Sequence, residues 1–591
     1  MSGIATAGET TSAVVRLRFS IGQDAAAPLT WAQRTMWGPL KWFGEEANQF
    51  NLARALVLPG PAGQDRVLGA LRSLIEGHQT FRTHFVEAGS EPQQRVSASG
   101  EYEIKVAGDR ANPKGAGEDI AATLRRGAFD HEAEWPLRVG YVVDGQRQVT
   151  AVAVAGSHLA FDIWAFQRLA DLLLRLLTDE EGMTTGAAGT LEDATVPQPL
   201  EQAAHQASAA GELQNRRGLR HWERGLSAAP ASMFDMPRTK AGDLPIGRYL
   251  LDSTAVTAAA TALARRTATS VSTVLLCLTA LTLTAYNAHD KCALKLIAGN
   301  RFSRGQQDLI ALNSLDACLN ATIDDTDLLT AIKGVHRLAL EAYSRAQCDP
   351  LAVNDLIKEV GRRRGVSFDL AAYYNSVQTG SDWQTAVADV SPARLAELRR
   401  GTRFAPLEPL SKSDMKFFLT AADRGGGVSR LHLLVDTAYL PAPLGETILR
   451  GIETLLCDAV AGEVGTREVA SRIGITPVHR GPEWVRTPVG WVDLEAVGLL
   501  VSQAAGAKAA VFAQGDRESA KAPKVRAYVA SPSIPPQALH EAVLDLLPGR
   551  TGVAAPGEYV ICAAPPRGFS RTAWEAIPGT VYSPETLRDG C

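Results

Sequence analysis

The stretch Gly145–Leu177, GQRQVTAVAVAGSHLAFDIWAFQRLADLLLRLL, decides how the rest of the chain is read. Val149 to Ala155 strings small and β-branched apolar residues together without a breaker, which specifies a buried strand. Asp144-Gly145 just before it signals a two-residue hairpin, with Leu137–Val143 as the incoming strand. From Phe166 onward, Phe166, Leu169, Leu173, Leu176 and Leu177 recur at helical spacing, so a helix with one apolar face follows. The link is Ser157-His158-Leu159-Ala160-Phe161-Asp162-Ile163-Trp164, which places His158 and Asp162 where a rigid strand ends, as a positioned catalytic group requires. The interval alone is not diagnostic. His432 and Asp436 repeat it inside HLLVD, which reads as an ordinary strand, and a histidine satisfied at a strand end is the plain alternative for His158.

Composition narrows the classes. At 591 residues the chain exceeds one core, and 46% hydrophobic residues are enough for several. Lys+Arg 60 against Asp+Glu 64 leaves a net charge of -4 without a long basic block, which argues against nucleic acid or an anionic membrane as partner. The seven cysteines are odd in number and scattered without a CxxC pair. They read as reduced thiols of a cytoplasmic protein, with neither a disulfide framework nor a metal cage. MSGIATAGETTSAVV is not a signal peptide, and the apolar run Val271–Ala285 is too short to span a bilayer. That run reads as a buried helix.

Ser157-His158 through Trp164 resembles the HHxxxDG-aromatic motif of the condensation domains of nonribosomal peptide synthetases. His158 falls on its second histidine, Asp162 on its aspartate and Trp164 on its aromatic, while Ser157 replaces the first histidine and Ile163 the glycine. Two further segments resemble family motifs in the family's order. Leu29–Trp37 matches S-x-A-Q-x-R-L-W at Ala32, Gln33 and Trp37, and its own reading is a helix capped by Thr30. Gly77–Phe85 matches RHExLRTxF at His78, Arg82, Thr83 and Phe85. His221-Trp222 resembles the aromatic pair that closes a helix at this point in the family.

Farther on, Gly299-Asn300-Arg301 follows a strand, Lys291–Ile297. The resemblance implies that Arg301 holds Asp162, making Asp162 structural, an assignment that guanidinium–carboxylate pairing makes reasonable. An exposed loop charge is the alternative for Arg301. Later motifs degrade. Asn313–Ile323, NSLDACLNATI, is a faint counterpart of FVNTLPLR, and Ala346–Leu351 keeps Gln347 of HQDxPF and loses its histidine and phenylalanine. Ser411–Tyr439 supplies two strands around Gly425-Gly426-Gly427, and Leu444–Val460 a last helix.

The resemblance, over Leu29–Gly462, implies an α/β fold, a two-lobed chloramphenicol-acetyltransferase-like pseudodimer. Residues 1–230 form one lobe and 245–462 the other, with the crossing in Ala228–Ile246. Residues 486–591 read as a small α+β C-terminal appendage, with a helix over Val492–Val501, strands over Ala509–Val511 and Val525–Ala530, and a helix over Pro536–Leu547. The appendage weakly resembles the C-terminal subdomain of adenylation enzymes. Phe569 stands where that subdomain has its lysine, and no phosphate loop precedes it, so adenylation is not expected. No LGGxS-type carrier signature is present.

These features imply a free-standing condensation enzyme in natural-product biosynthesis. It would bind no cofactor or metal of its own and would take an acyl or aminoacyl group from the phosphopantetheine thioester of a separate acyl or peptidyl carrier protein. The acceptor would be an amine or hydroxyl, small or carrier-bound, and the product an amide or ester. His158 would accept or share the acceptor's proton, worth roughly 10²–10⁴-fold. Ser157 would orient the loop, and Ile163, Trp164 and Asn300 would line the substrate channel. Ile163 is the disruptive change, because a β-branched residue fills space and resists the backbone angles that glycine permits. It implies a reshaped channel, or else a catalytically silent module that recruits carrier proteins or tailoring enzymes. A hydrolase with Ser157 as nucleophile is a third reading, disfavoured by the missing G-x-S-x-G elbow.

Overall fold

The computed structural model describes residues 13–89, 91–108, 112–178, 196–239, 242–377, 390–514, 523–531, 533–568 and 570–584. Most of the loop expected over Thr178–Leu200 lies outside them, as do Phe569 and Cys591.

The chain divides into two compact units: Met1–Asn215 with Gly299–Leu315, and Arg216–Ala298 with Asp316–Cys591. The first break falls inside the Ala209–Ala228 helix, upstream of the crossing expected in Ala228–Ile246. The loop after the Lys291–Ala298 strand returns to the first unit, a placement that segment order does not reveal.

The first unit is built on a five-stranded sheet ordered Ala13–Ser20, Ser99–Gly108, Leu137–Val143, Val149–Gly156, Leu52–Ala62. Val149–Gly156 pairs antiparallel with both neighbours and is buried on both faces. Ala151, Ala153 and Ala155 pack under Ile120, Ala121 and Leu124 of the Pro113–Arg125 helix. Val152 and Val154 face the opposite way, into a core shared with the Gln64–Gly77 and Ile163–Thr178 helices. Burial on both sides explains why this strand is apolar throughout, with small residues on the helix-covered face. Thr30 caps the Trp31–Phe43 helix in a reciprocal box with Gln33, as its sequence predicts.

The hairpin before Val149 is present, but a two-residue turn does not close it. Asp144 Oδ1 accepts from the amides of Gln146 and Gln148, and Arg147 takes φ 60, so the connection runs from Asp144 to Gln148. The aspartate side chain organises a longer loop than the Asp-Gly pair suggests.

The second unit carries a seven-stranded sheet, and its core contains the Val271–Asn287 helix, almost wholly buried. No single helix among the described residues is long and apolar enough to cross a membrane. Phe417–Asp423 and Ser429–Asp436 form the hairpin around the triple glycine, and His432 is an ordinary strand residue.

The described residues after 486 include a four-stranded sheet, the helices Leu494–Ala505 and Pro536–Leu546, and a short helix Arg571–Glu575. The start of the first helix is corrected, because Gly490–Asp493 is strand paired with Trp484–Thr487 and Asp493 caps the helix. This region is not set apart from the rest of its unit. Val366 belongs to its core, Ala231 N–H donates to Val489 O, and Arg362 pairs with Glu541 and Asp545.

Candidate active site

The strand stops at Gly156 because the chain must turn under two aromatic rings. A Cβ at Gly156 would lie 2.8 Å from Phe161 Cδ2 and 3.0 Å from Phe166 Cε2. The amides of Ala160 and Phe161 both donate to Ser157 O, closing a tight turn that carries His158. Phe161 is fully buried and anchors the loop from below. Gly156→Ala is therefore expected to displace Phe161 and to destabilise the unit by about 1–3 kcal/mol, through overpacking, as read by chemical denaturation. Unchanged stability would contradict this packing.

Asp162 sits immediately before the Ile163–Thr178 helix and is 3% exposed. Its Oδ1 accepts from Ala165 N at 2.8 Å, as a helix cap does. Arg301 Nη2 donates to both carboxylate oxygens, at 2.8 and 2.9 Å. Oδ2 accepts in addition from Asn313 N and Ser314 Oγ, each at 3.0 Å. The carboxylate is thus saturated, with no lone pair left for proton transfer. The guanidinium is almost equally occupied: Nη1 donates to the carbonyls of Gln306 and Leu309, and Nη2 to that of Ala311. One nitrogen bridges both oxygens, so this is not the parallel two-nitrogen fork that bidentate pairing suggests.

Asn300 is where the loop reverses, at φ 53, a conformation asparagine tolerates. It is buried, and it exchanges amide-to-carbonyl hydrogen bonds with Asn313 in both directions, at 3.0 and 2.9 Å. These bonds hold Asn313 N–H on Asp162, while Asn300 Oδ1 stays buried without a partner. The faint Asn313–Ile323 segment therefore contributes donors to the site that its weak motif match does not suggest.

His158 is partly exposed, but its Nδ1 is buried and no hydrogen bond reaches it with good geometry. Burial pushes the imidazole below its ordinary pKa, against the opposing pull of nearby backbone carbonyls and of the Asp162 charge. At neutral pH the ring is uncharged, the state a proton acceptor needs.

Ile163 and Trp164 are 39% and 40% exposed. Trp164 Nε1 donates to Gln307 O, clipping the helix start to the Gly299–Leu315 segment. Ile163 opens the helix and is not among the described non-glycine residues with positive φ. The backbone at this position does not call for glycine.

Ser157 is 1% exposed, and its Oγ lies 2.7 Å from His131 Nε2. No motif or periodicity points to His131, which sits 26 residues earlier, between Asp130 and Glu132 in an irregular turn. Among the described residues, no group of three or more His, Cys, Asp or Glu is placed to hold a metal.

A family model described as "Condensation domain" matches residues 23–363, more than half of the chain. A probable non-canonical nonribosomal peptide synthetase, CymA of Salinispora arenicola, is 30% identical over 158 residues, 27% of this chain. The isonitrile lipopeptide synthase of Mycobacterium tuberculosis is 27% identical over 220 residues, 35% of this chain. The matches span 2% and 8% of those relatives' own lengths. Among solved structures, the condensation domain of the monacolin K polyketide synthase MokA aligns with TM-score 0.57 and 15% identity, covering 74% of this chain and 98% of that one. The condensation domain that mediates chain release from the enacyloxin polyketide synthase aligns at 0.55 and 17%, covering 75% and 83%. The fold is therefore the mixed α/β, chloramphenicol-acetyltransferase-like one, and the chain belongs to the condensation domain family.

Proposed function

We propose that this chain transfers an acyl or aminoacyl group from a carrier protein's phosphopantetheine thioester to an amine or hydroxyl acceptor, giving an amide or ester. His158 takes the acceptor's proton as its nitrogen or oxygen attacks the thioester carbonyl. The C–S bond then breaks, and the pantetheine thiolate leaves and takes the proton back from His158, which returns to its neutral form. Bringing the two substrates together out of water contributes at least as much as the proton transfer, about 7–11 kcal/mol at best. The observation that supports this reading is the division of labour between two side chains: Asp162 is fully engaged by its donors, and His158 is left neutral with its Nδ1 unbonded.

The test is reconstitution with acyl-loaded carrier proteins and amine or alcohol acceptors, read by mass spectrometry of the small-molecule product. An amide or ester that needs both substrates supports transfer. Carrier binding without product would replace this reading with that of a recruiting module, and release of free acid alone would favour hydrolysis.

A further inference from the structure

The serine in place of the motif's first histidine is not an isolated loss, because another histidine reaches it from elsewhere in the same unit. We propose that His131 is a positioning residue of this site: its Nε2 accepts the Ser157 hydroxyl proton and thereby fixes the turn that aims His158. This rests on the transfer reading above and adds a residue outside the motif.

The geometry is specific. Ser157 Oγ lies 2.7 Å from His131 Nε2 and also accepts Leu159 N–H at 3.1 Å. With Nε2 unprotonated, as the proposal requires, the hydroxyl donates to His131 and accepts from Leu159 N–H, and this second bond spans His158 in the chain. Ser157 N–H donates to Pro136 O at 2.9 Å, so the serine is held through both main chain and side chain. His131 is held as firmly. Its carbonyl accepts Phe85 N–H at 2.9 Å, and the Phe85 ring stands edge-on to its imidazole at 6.1 Å. Phe129 lies on another side, with ring centroids 6.3 Å apart. Phe85 closes the second matched segment, so three stretches distant in sequence converge on the turn.

Burial holds the His131 imidazole down to about 4, despite the nearby carboxylates of Glu134 and Asp130. The ring is thus neutral and able to accept. The same contacts argue against Ser157 as a nucleophile: it is buried, its oxygen is occupied by Leu159 N–H, and the amides of Ala160 and Phe161 are spent on Ser157 O.

The experiment compares His131→Gln, which keeps an acceptor, with His131→Phe, which keeps the bulk. Each is made in the wild-type and the Ser157→Ala background, and turnover is followed beside the 15N signals of the His158 ring. We expect His131→Phe to lower kcat about tenfold with KM little changed, His131→Gln to recover most of it, and His131→Phe to add nothing once Ser157 is alanine. We also expect the His158 ring signals to move in His131→Phe and not in His131→Gln.

Additive losses, equal damage from Gln and Phe, or His158 signals that ignore both variants would overturn the inference. If the wild type shows no transfer at all, the functional reading fails, while the ring signals still decide the role of His131. Covalent labelling of Ser157 by a fluorophosphonate would overturn it in favour of a serine nucleophile.

Discussion

His158→Ala is expected to lower kcat by roughly 10²–10⁴-fold while leaving the fold intact, with KM for the acyl carrier nearly unchanged. The side chain's Nδ1 makes no hydrogen bond that the fold depends on, so removing the ring costs little beyond its packing. The residual rate comes from holding donor and acceptor together, which the substitution does not touch. Steady-state kinetics with a thermal melt of the same preparation checks both halves. A loss of activity matched by a collapse in stability would mean that His158 is structural.

Arg301→Ala carries the largest expected effect on stability. The Asp162 and Arg301 side chains are 4% and 5% exposed, so deleting the guanidinium leaves a buried carboxylate facing only neutral donors. Such a break costs about 3–5 kcal/mol, because the remaining charge stays buried without its counterion. For a unit of this size that corresponds to a fall in Tm of roughly 6–20 °C, with activity lost as the His158 loop loosens. Adding Asp162→Asn to Arg301→Ala is expected to recover part of the stability, since no unpaired charge then remains. Arg301→Lys is not expected to substitute, because one ammonium cannot serve Asp162 together with the carbonyls of Gln306, Leu309 and Ala311. Calorimetry that finds Arg301→Ala as stable as the parent would remove this pair from the account.

The contrast between these two residues shows what a sequence can disclose. The strand, loop and helix around His158 are local, set by apolar periodicity and by residues a few positions apart, and they are legible without a structure. Arg301 is legible because a strand end followed by Asn-Arg is a local signal whose distant partner the family resemblance supplies. The remaining donors to Asp162 are not. Asn313 N–H and Ser314 Oγ are ordinary groups on a loop, and only the return of Gly299–Leu315 to the first unit brings them to the carboxylate. His131 is the plainest case. A single histidine in a polar turn carries no periodicity and no motif, and its value arises from a tertiary contact with Ser157. Ile163 departs from expectation for a related reason: the motif's glycine suggests special backbone angles, whereas the helix begins at that residue with ordinary ones. In the C-terminal residues two strands and the second helix are legible, the first helix starts two residues later than its pattern suggests, and the packing on Val366 and Ala231 depends on surfaces that no local pattern reveals.

The central claim is that a neutral His158 takes the acceptor's proton, and the pH dependence of kcat/KM for transfer tests it most directly. Because burial lowers the His158 pKa from its ordinary 6.5, acid protonates the ring, and rate is lost, only at a pH below that value. The wild type is expected to show an acid limb with its midpoint below 6.5, and the small residual rate of His158→Ala no such limb. The same limb in both proteins, or a midpoint above 6.5, would contradict it.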